Sequence, residues 1–316
     1  MAGADASRRP GRLGVGIVGA GRVGSVLGAA LRSAGHAVVG VSAVSEASRE
    51  RAESLLPGVP VLEVPDIVER AELVLLAVPD DALPELVEGL ARLDAWQAGQ
   101  LVVHTSGRYG TSVLAPARAA GAIPLAIHPA MTFTGMSLDL GRLPDSMFGI
   151  TAAPAVLPIA QALVVEMGAE PVVIEEESRA LYHAALAHAS NHLVTITAQS
   201  AQLLADLGVQ YPDRMLGPLM KASLENALSA GEGALTGPVA RGDAGTVRAH
   251  RAALEAHDAP DTRQAYLGMA RATALRALER GLLSPGQGEA ILAALADLPG
   301  AGGQVPPPHG ASGPPS

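Results

Sequence analysis

Two groups of residues in this chain have types and spacings suited to chemistry: a glycine-rich turn near the start, and several histidines with amide and hydroxyl neighbours. The turn fits the pattern G-x-G-x-x-G and consists of Gly19, Ala20, Gly21, Arg22, Val23 and Gly24. In this pattern the first glycine allows a tight strand-to-helix turn and the second lets a pyrophosphate approach the backbone. The third lets the helix pack closely on the strand. The turn therefore predicts binding of a dinucleotide.

The residues around the turn provide the context that this motif needs. Residues 15–18 form a short apolar run that predicts a buried strand, and residues 25–34 contain no proline and predict a helix. A helix N-terminus offers unpaired N–H groups and partial positive charge to phosphates. A glycine-rich turn in an unrelated α/β protein is the alternative, but the flanking strand and helix favour the dinucleotide interpretation.

The end of the next predicted strand, residues 36–42, bears on the choice of cofactor. An acidic residue there binds the ribose 2′-hydroxyl of NAD, whereas its absence beside arginine suits the 2′-phosphate of NADP. This chain has Ser42 at that point, with Arg49 and Arg51 shortly after it and Arg22 inside the turn. The pattern favours NADP over NAD, although the alternative is that Arg49 and Arg51 belong to a solvated helix face.

Further apolar runs predict strands at 61–64, 72–78, 101–104 and 123–127, alternating with helices. This alternation predicts a Rossmann-type, doubly wound parallel sheet over residues 13–130. Ligands bind at the carboxyl edge of such sheets, so Val78 and Pro79, at the end of one strand, are expected beside the cofactor. Polar clusters at 104–106 and 128–132 end two further strands, which makes Ser106 and His128 candidate site residues. A helix cap or an ordinary turn is the alternative for each cluster.

Residues 176–207 contain neither proline nor glycine and predict one long helix, mostly buried, within an all-helical domain at 176–297. A polar stripe runs along it, and its lower half is expected to face solvent or another subunit. In the upper half, His183 and His188 are candidate proton donors, and Asn191 is a candidate partner for a substrate carbonyl.

Composition narrows the possible functions. The chain has 316 residues, a net charge of −9, 48% hydrophobic residues and no cysteine. We expect a globular protein with a small-molecule substrate, no nucleic-acid partner, no membrane span, no metal site and a cytoplasmic location. Residues 1–12 and the Pro/Gly-rich residues 298–316 are expected to be disordered, and residues 131–175 to connect the two domains. Lys221 is the only lysine, so any lysine-dependent mechanism would have to use it.

Five segments in order resemble the bacterial proteins that join a Rossmann-like oxidoreductase domain to a domain of unknown function, DUF2520. They are GAGRVG (19–24), HTSG (104–107), HPAMTF (128–133), YHAALAHASN (182–191) and LTGPVARGD (235–243). More broadly, the chain is similar to the superfamily of 6-phosphogluconate dehydrogenase, ketopantoate reductase and pyrroline-5-carboxylate reductase. The resemblance runs from about residue 13 to residue 280.

The resemblance implies an NAD(P)-dependent oxidoreductase that reduces a small oxo acid, such as ketopantoate, or an imine, and a homodimer formed through the helical domain. One departure is notable. Ketopantoate reductases and β-hydroxyacid dehydrogenases carry a lysine four residues before an asparagine on the long helix, and if Asn191 is that asparagine the lysine position holds Ala187. Either His183 or His188 would then have to donate the proton, or the chemistry differs from that of these enzymes. The alternatives are a dinucleotide-binding sensor or scaffold without chemistry, and a deazaflavin-dependent reductase.

Overall fold

The computed structural model describes residues 12–296. The chain divides into two compact units, the first ending at Ser190 and the second beginning at Asn191. The predicted tail (298–316) and all of the predicted arm except Arg12 lie outside the described residues. The boundary between the units lies inside the long helix, whereas the sequence predicted a first domain that ends at residue 130.

Seven strands form one sheet in the first unit: β1 (Gly14–Val18), β2 (Ala37–Val41), β3 (Leu73–Leu76), β4 (Leu101–His104), β5 (Ile123–Pro129), β6 (Met147–Thr151) and β7 (Glu170–Val173). Their order is β2-β1-β3-β4-β5-β6-β7, and all neighbours are parallel except β5 and β6. The predicted doubly wound sheet is confirmed. The segment expected to be a connection adds β6 and β7 to it.

Alternate residues of the central strands supply two separate cores. Leu73 and Leu75 of β3 belong to the cluster on one face, and Val74 and Leu76 belong to the cluster on the other. All four are at most 3% exposed. Successive side chains of a strand point to opposite faces of the sheet, and here both faces are covered. Besides the first part of the long helix, the helices of this unit are α1 (Arg22–Ser33), α2 (Glu46–Leu55), α3 (Val64–Arg70), α4 (Leu83–Arg92), α5 (Ala115–Ala119) and α6 (Leu157–Glu166).

The strand predicted at 61–64 is wrong. Val61 makes one isolated bridge to Val41, and Val64 is already the first residue of α3. Pro65 explains the change, since it has no N–H to give to a sheet ladder but suits the first turn of a helix.

The long helix is α7 (Arg179–Asp206), preceded by a 3-10 turn over Glu176–Ser178. Its 28 residues span about 42 Å at 1.5 Å per residue. The sequence predicted that most of this helix is buried, but Arg179 is its only buried residue. Leu181 and Val194 are 76% and 68% exposed, because the rest of the described chain does not cover so long an apolar helix.

The second unit contains the rest of α7 followed by α8 (Pro212–Ala230), α9 (Gly237–Ala240), α10 (Ala244–Ala256), α11 (Pro260–Glu279) and α12 (Pro285–Leu295). Val247, Ala274 and Ile291 are fully buried and join α10, α11 and α12 in one small core. Asp243 caps α10 by accepting the Thr246 N–H, as its position in the sequence predicted. None of the helices within residues 12–296 combines the length and apolarity that crossing a membrane requires.

Candidate active site

The turn between β1 and α1 has the geometry that two of its glycines predict. Gly19 has a φ of +101°, and a Cβ on it would lie 2.5 Å from the carbonyl oxygen of Ala77. A Cβ on Gly24 would overlap the carbonyl oxygen of Gly19. Gly19 is therefore required by the backbone conformation, and both glycines are required by the close packing of the turn.

Gly21 differs because the space in front of it is open. The nearest atom to a Cβ on Gly21 would be the Ala77 carbonyl oxygen at 4.0 Å. Gly21 is also the N-cap of α1, and among residues 12–296 no side chain caps this helix end. Open space at a glycine, next to an uncapped helix N-terminus, fits the pyrophosphate of a dinucleotide.

Ser42 lies beside the turn and holds it in place. The Gly19 N–H donates to Ser42 Oγ at 2.9 Å, and the Ala20 N–H donates to the Ser42 carbonyl oxygen at 2.8 Å. Ser42 stands where NAD-binding proteins have an acidic residue, and its hydroxyl is hydrogen-bonded to the backbone of the turn.

Two of the three arginines considered for NADP converge on the turn. Arg51 Nε donates to the Ala20 carbonyl oxygen at 3.3 Å. A Cβ on Gly135 would lie 2.8 Å from Arg51 Cδ and 3.0 Å from Arg22 Cγ, so both side chains pass the same point. Arg49 lies on α2 and is exposed.

The carboxyl end of β3 and one neighbouring loop border the turn. Val78 is beside Gly19, since a Cβ on that glycine would lie 3.5 Å from Val78 Cγ1, and Pro79 follows it in the chain. The loop is fixed by Asp139, whose buried carboxylate accepts the N–H groups of Thr134 and Gly135, each at 2.8 Å. Val23 is half-buried in the first turn of α1.

His104 and Ser106 stabilise the loop after β4. His104 Nδ1 accepts the Ser106 N–H at 3.2 Å, so its ring proton is on Nε2, which donates to the Gly110 carbonyl oxygen at 2.8 Å. Burial, with a smaller contribution from the Arg179 cation, lowers the pKa of His104 to about 4. Ser106 Oγ accepts the Tyr109 N–H at 3.3 Å. Both side chains are engaged in holding the loop.

The imidazoles of His128 and His183 meet beside Gly107 and form, with Tyr182, what we call the imidazole cluster. The ring centroids of His128 and His183 are 5.7 Å apart at 75°, and Tyr182 Oη lies 2.9 Å from His128 Nδ1. A Cβ on Gly107 would lie 2.6 Å from His183 Cδ2 and 2.9 Å from His128 Nε2. Gly107 is thus the residue that lets β4, β5 and α7 bring these rings together.

Arg179 anchors the start of α7 under the imidazole cluster. Its side chain is 1% exposed, and its guanidinium donates to four oxygens: Thr151 Oγ1 at 2.8 Å, the carbonyls of Ala126 and Gly149 at 3.1 Å each, and the carbonyl of Ser106 at 3.4 Å. Burial is the largest cause that lowers the pKa of His128 to about 4, followed by His183 and then this guanidinium. His128 is therefore neutral at pH 7.

Glu176, in the 3-10 turn just before α7, also holds the start of this helix in place. Its carboxylate accepts the N–H groups of Thr111 and Ser112 at 2.7 and 3.0 Å. Burial raises the pKa of Glu176, but these hydrogen bonds outweigh it and lower the pKa overall. A Cβ on Gly110 would overlap the carboxylate, so this contact also needs a glycine.

The other two candidates on α7 are not part of the imidazole cluster. His188 is exposed and lies five residues beyond His183, about 140° round the helix axis, so the two rings leave different faces. Asn191 is the first residue of the second unit; it is exposed, and its carbonyl oxygen accepts the Thr195 hydroxyl at 3.2 Å.

Sequence reasoning missed Glu176, Arg179 and Tyr182. A partial signal was available, because Arg179 and Tyr182 are three residues apart at the start of the long helix and are therefore neighbours on its surface.

A Rossmann-like family model matches residues 1–129, and a DUF2520 model matches residues 146–273. The chain joins a Rossmann-like domain to a DUF2520 domain. The resemblance drawn from the five sequence segments is therefore confirmed. The β6 and β7 strands lie in the part matched by the DUF2520 model, although they complete the sheet that the Rossmann-like domain begins.

Solved structures share this fold. A candidate NADP oxidoreductase from Bacteroides fragilis has 23% identity and a TM-score of 0.68, covering 83% of this chain and 98% of its own. A Thermotoga maritima protein has 24% identity and a TM-score of 0.63, with 84% and 99% covered. An imine reductase from Myxococcus stipitatus, solved with NADP+, has 18% identity and a TM-score of 0.55, with 89% and 99% covered. A search of curated protein sequences gives no match.

Proposed function

We propose that this protein is an NAD(P)H-dependent reductase of a small carbonyl or imine compound. The observation that carries the proposal is that an open phosphate-binding turn and the imidazole cluster lie at the same carboxyl edge of one sheet. The Bacteroides protein and the Myxococcus imine reductase are described as NADP proteins, which supports this chemistry for the shared fold.

The strand order indicates which half of the cofactor would face the cluster. The order reverses between β1 and β3, and a dinucleotide lies across that point with its pyrophosphate on the first turn. Its adenosine half would lie towards β2, where the ribose-binding residue of this fold follows the strand. The nicotinamide half would then lie towards β4 and β5, where Gly107 follows β4 and His128 is near the end of β5.

The cofactor, when bound, supplies a hydride, which adds to the carbon of the C=O or C=N bond and leaves an electron pair on oxygen or nitrogen. We assign delivery of the balancing proton to His183. His183 belongs to the imidazole cluster and is half-buried, and α7 holds it through the contacts of Arg179 and Glu176. The product is the corresponding alcohol or amine.

The proposal favours NADP over NAD. Ser42 supplies no carboxylate for a ribose 2′-hydroxyl, and its hydroxyl is held by the Gly19 N–H. Arg22 and Arg51 converge beside the turn, and Arg49 is exposed nearby on α2. Their positive charge suits a 2′-phosphate.

We also propose a homodimer formed through the helical unit. Exposed apolar side chains occur on α7 and again on α8, where Leu219 and Leu228 are 63% and 81% exposed. So many exposed apolar residues on two consecutive helices are unusual for a monomer. A second copy of this chain offers the same two helices and buries both sets together.

The test is NADPH oxidation followed by absorbance with ketopantoate and cyclic imines as substrates. We expect His183→Gln to slow hydride transfer by about 100-fold, as removal of a general acid does. His188→Gln is the second arm, because the sequence alone offered both histidines. A loss confined to His188→Gln would move the proton donor to that residue, and binding of NADPH without turnover of any such substrate would contradict the reductase proposal.

A further inference from the structure

The contact between His128 and Tyr182 joins two residues 54 positions apart in the chain. Their rings are perpendicular, with centroids 5.5 Å apart, and Tyr182 Oη lies 2.9 Å from His128 Nδ1. The phenol reaches this place because residue 149 is glycine, since a Cβ on Gly149 would lie 2.5 Å from Tyr182 Oη. The contact thus depends on the absence of a side chain at Gly149 in β6.

The groups around the phenol determine which partner donates. The hydrogen bond that the phenol makes with another side chain is the contact with His128, and the proton of a buried hydroxyl needs an acceptor. The Arg179 guanidinium, whose Cζ is 5.8 Å from the Tyr182 ring centroid, carries only donors and cannot accept that proton. Burial raises the pKa of Tyr182 overall, so the phenol keeps its proton. Among these neighbours, His128 Nδ1 is the acceptor for that proton.

His128 then has one ring proton, on Nε2. The ring is neutral, because burial and the neighbouring His183 and Arg179 lower its pKa to about 4. Nε2 is the ring atom that lies beside Gly107, 2.9 Å from the place a Cβ would occupy there. The N–H therefore lies on the side of the ring where His183 also meets Gly107.

We propose that Tyr182 is a positioning residue that holds His128 in the Nε2–H tautomer, so that His128 donates a hydrogen bond to the substrate atom that His183 protonates. A neutral imidazole polarises a C=O or C=N bond in this way without giving up its proton. The two histidines thus divide the work: His128 orients and polarises, and His183 delivers the proton. The role in turnover rests on the proposed reductase function, whereas the tautomer does not.

The experiment is long-range 1H–15N NMR of protein labelled at its nine histidines, at pH 7.5, with the His128 signals assigned from a His128→Asn variant. We expect the wild-type His128 to show the neutral Nε2–H pattern, with the Nδ1 shift of a hydrogen-bond acceptor. Tyr182→Phe keeps the ring and removes the hydroxyl. We expect the His128 Nδ1 signal to move and kcat to fall about tenfold, while KM for NADPH stays unchanged.

Tyr266→Phe is the matched control. Tyr266 Oη lies 3.0 Å from His250 Nδ1, so this substitution removes the same kind of contact from the helical unit. It should move the His250 signals and leave those of His128 in place.

A wild-type His128 in the Nδ1–H tautomer, or protonated at pH 7.5, would overturn the proposal, even if Tyr182→Phe fails to fold. So would a Tyr182→Phe variant with unchanged His128 signals. The Nε2–H pattern in a protein that reduces no substrate would support the positioning role and contradict only the reductase function.

Discussion

Three histidines near one sheet edge have different roles, and the contacts of their ring nitrogens distinguish them. His104 uses both nitrogens within its own loop. One ring nitrogen of His128 is hydrogen-bonded to Tyr182, and the ring of His183 packs edge to face against that of His128. Of these three histidines, only His128 and His183 are therefore arranged in a way that suits contact with a substrate.

We predict that protonation of His104 makes the first unit less stable in mild acid. The pKa of His104 is about 4 in the folded chain and 6.5 in the unfolded chain, so the unfolded chain binds more protons between these values. The stabilisation is complete above pH 6.5 and is lost as the pH falls towards 4. From pH 7 to pH 5, His104 alone should lower the free energy of unfolding by about 2 kcal/mol.

The measurement is urea unfolding at pH 7 and pH 5, followed by the fluorescence of Trp96, which is buried in the first unit. His104→Gln lowers stability at pH 7, because it disturbs a buried hydrogen-bonded position, but it should reduce the loss between the two pH values by about 2 kcal/mol. An unchanged pH dependence in the variant would contradict the assignment.

At the residue scale, sequence reasoning was most successful where steric demands are local. Gly19 and Gly24 follow from the turn itself, and Asp243 follows from the start of α10. The role of Tyr182 could not be derived from spacing alone, because it depends on β6 lying antiparallel to β5 and on the cleared space at Gly149. A sequence pattern on α7 shows which residues share a face, but not what packs against that face.

At the scale of elements, the turn between β1 and α1 contains one glycine that the fold requires and another that we expect only cofactor binding to require. Gly24 is needed for packing, whereas a Cβ on Gly21 would enter only the open space in front of the helix. Gly21 also has a φ of −71°, which suits alanine. Gly21→Ala should therefore leave the fold intact while it obstructs the place of the pyrophosphate.

Most elements of the sheet could be predicted because strands buried on both faces form continuous apolar runs, as Leu73–Leu76 does. The strand prediction at 61–64 was wrong because it rested on apolar residues alone and did not take the neighbouring Pro65 into account. The predicted burial of α7 failed for another reason. Low charge over 28 residues indicates that a helix will be covered, but it does not say whether its own chain or a second copy provides the cover.

At the scale of the whole molecule, the exposed apolar surface of α7 and α8 leads to a prediction about assembly. We expect light scattering to give twice the chain mass of 31.9 kDa. Val194→Asp, at a position 68% exposed, should shift the protein towards the monomer because it places a charge in the buried contact. Val165→Asp, on α6 and 60% exposed, is the matched control and should leave the mass unchanged. A monomeric wild-type protein would contradict the dimer.

The most direct test of the central claim is a titration of the purified protein with NADPH and NADH, followed by cofactor fluorescence. Gly21→Ala is the test variant and Gly141→Ala the control, since a Cβ on Gly141 meets no atom within 4 Å. We expect the wild-type protein and Gly141→Ala to bind NADPH, with NADH weaker, and Gly21→Ala to fold but not to bind. Failure of the wild-type protein to bind either cofactor, or equal binding by Gly21→Ala, would contradict the proposal that this turn holds a nicotinamide dinucleotide.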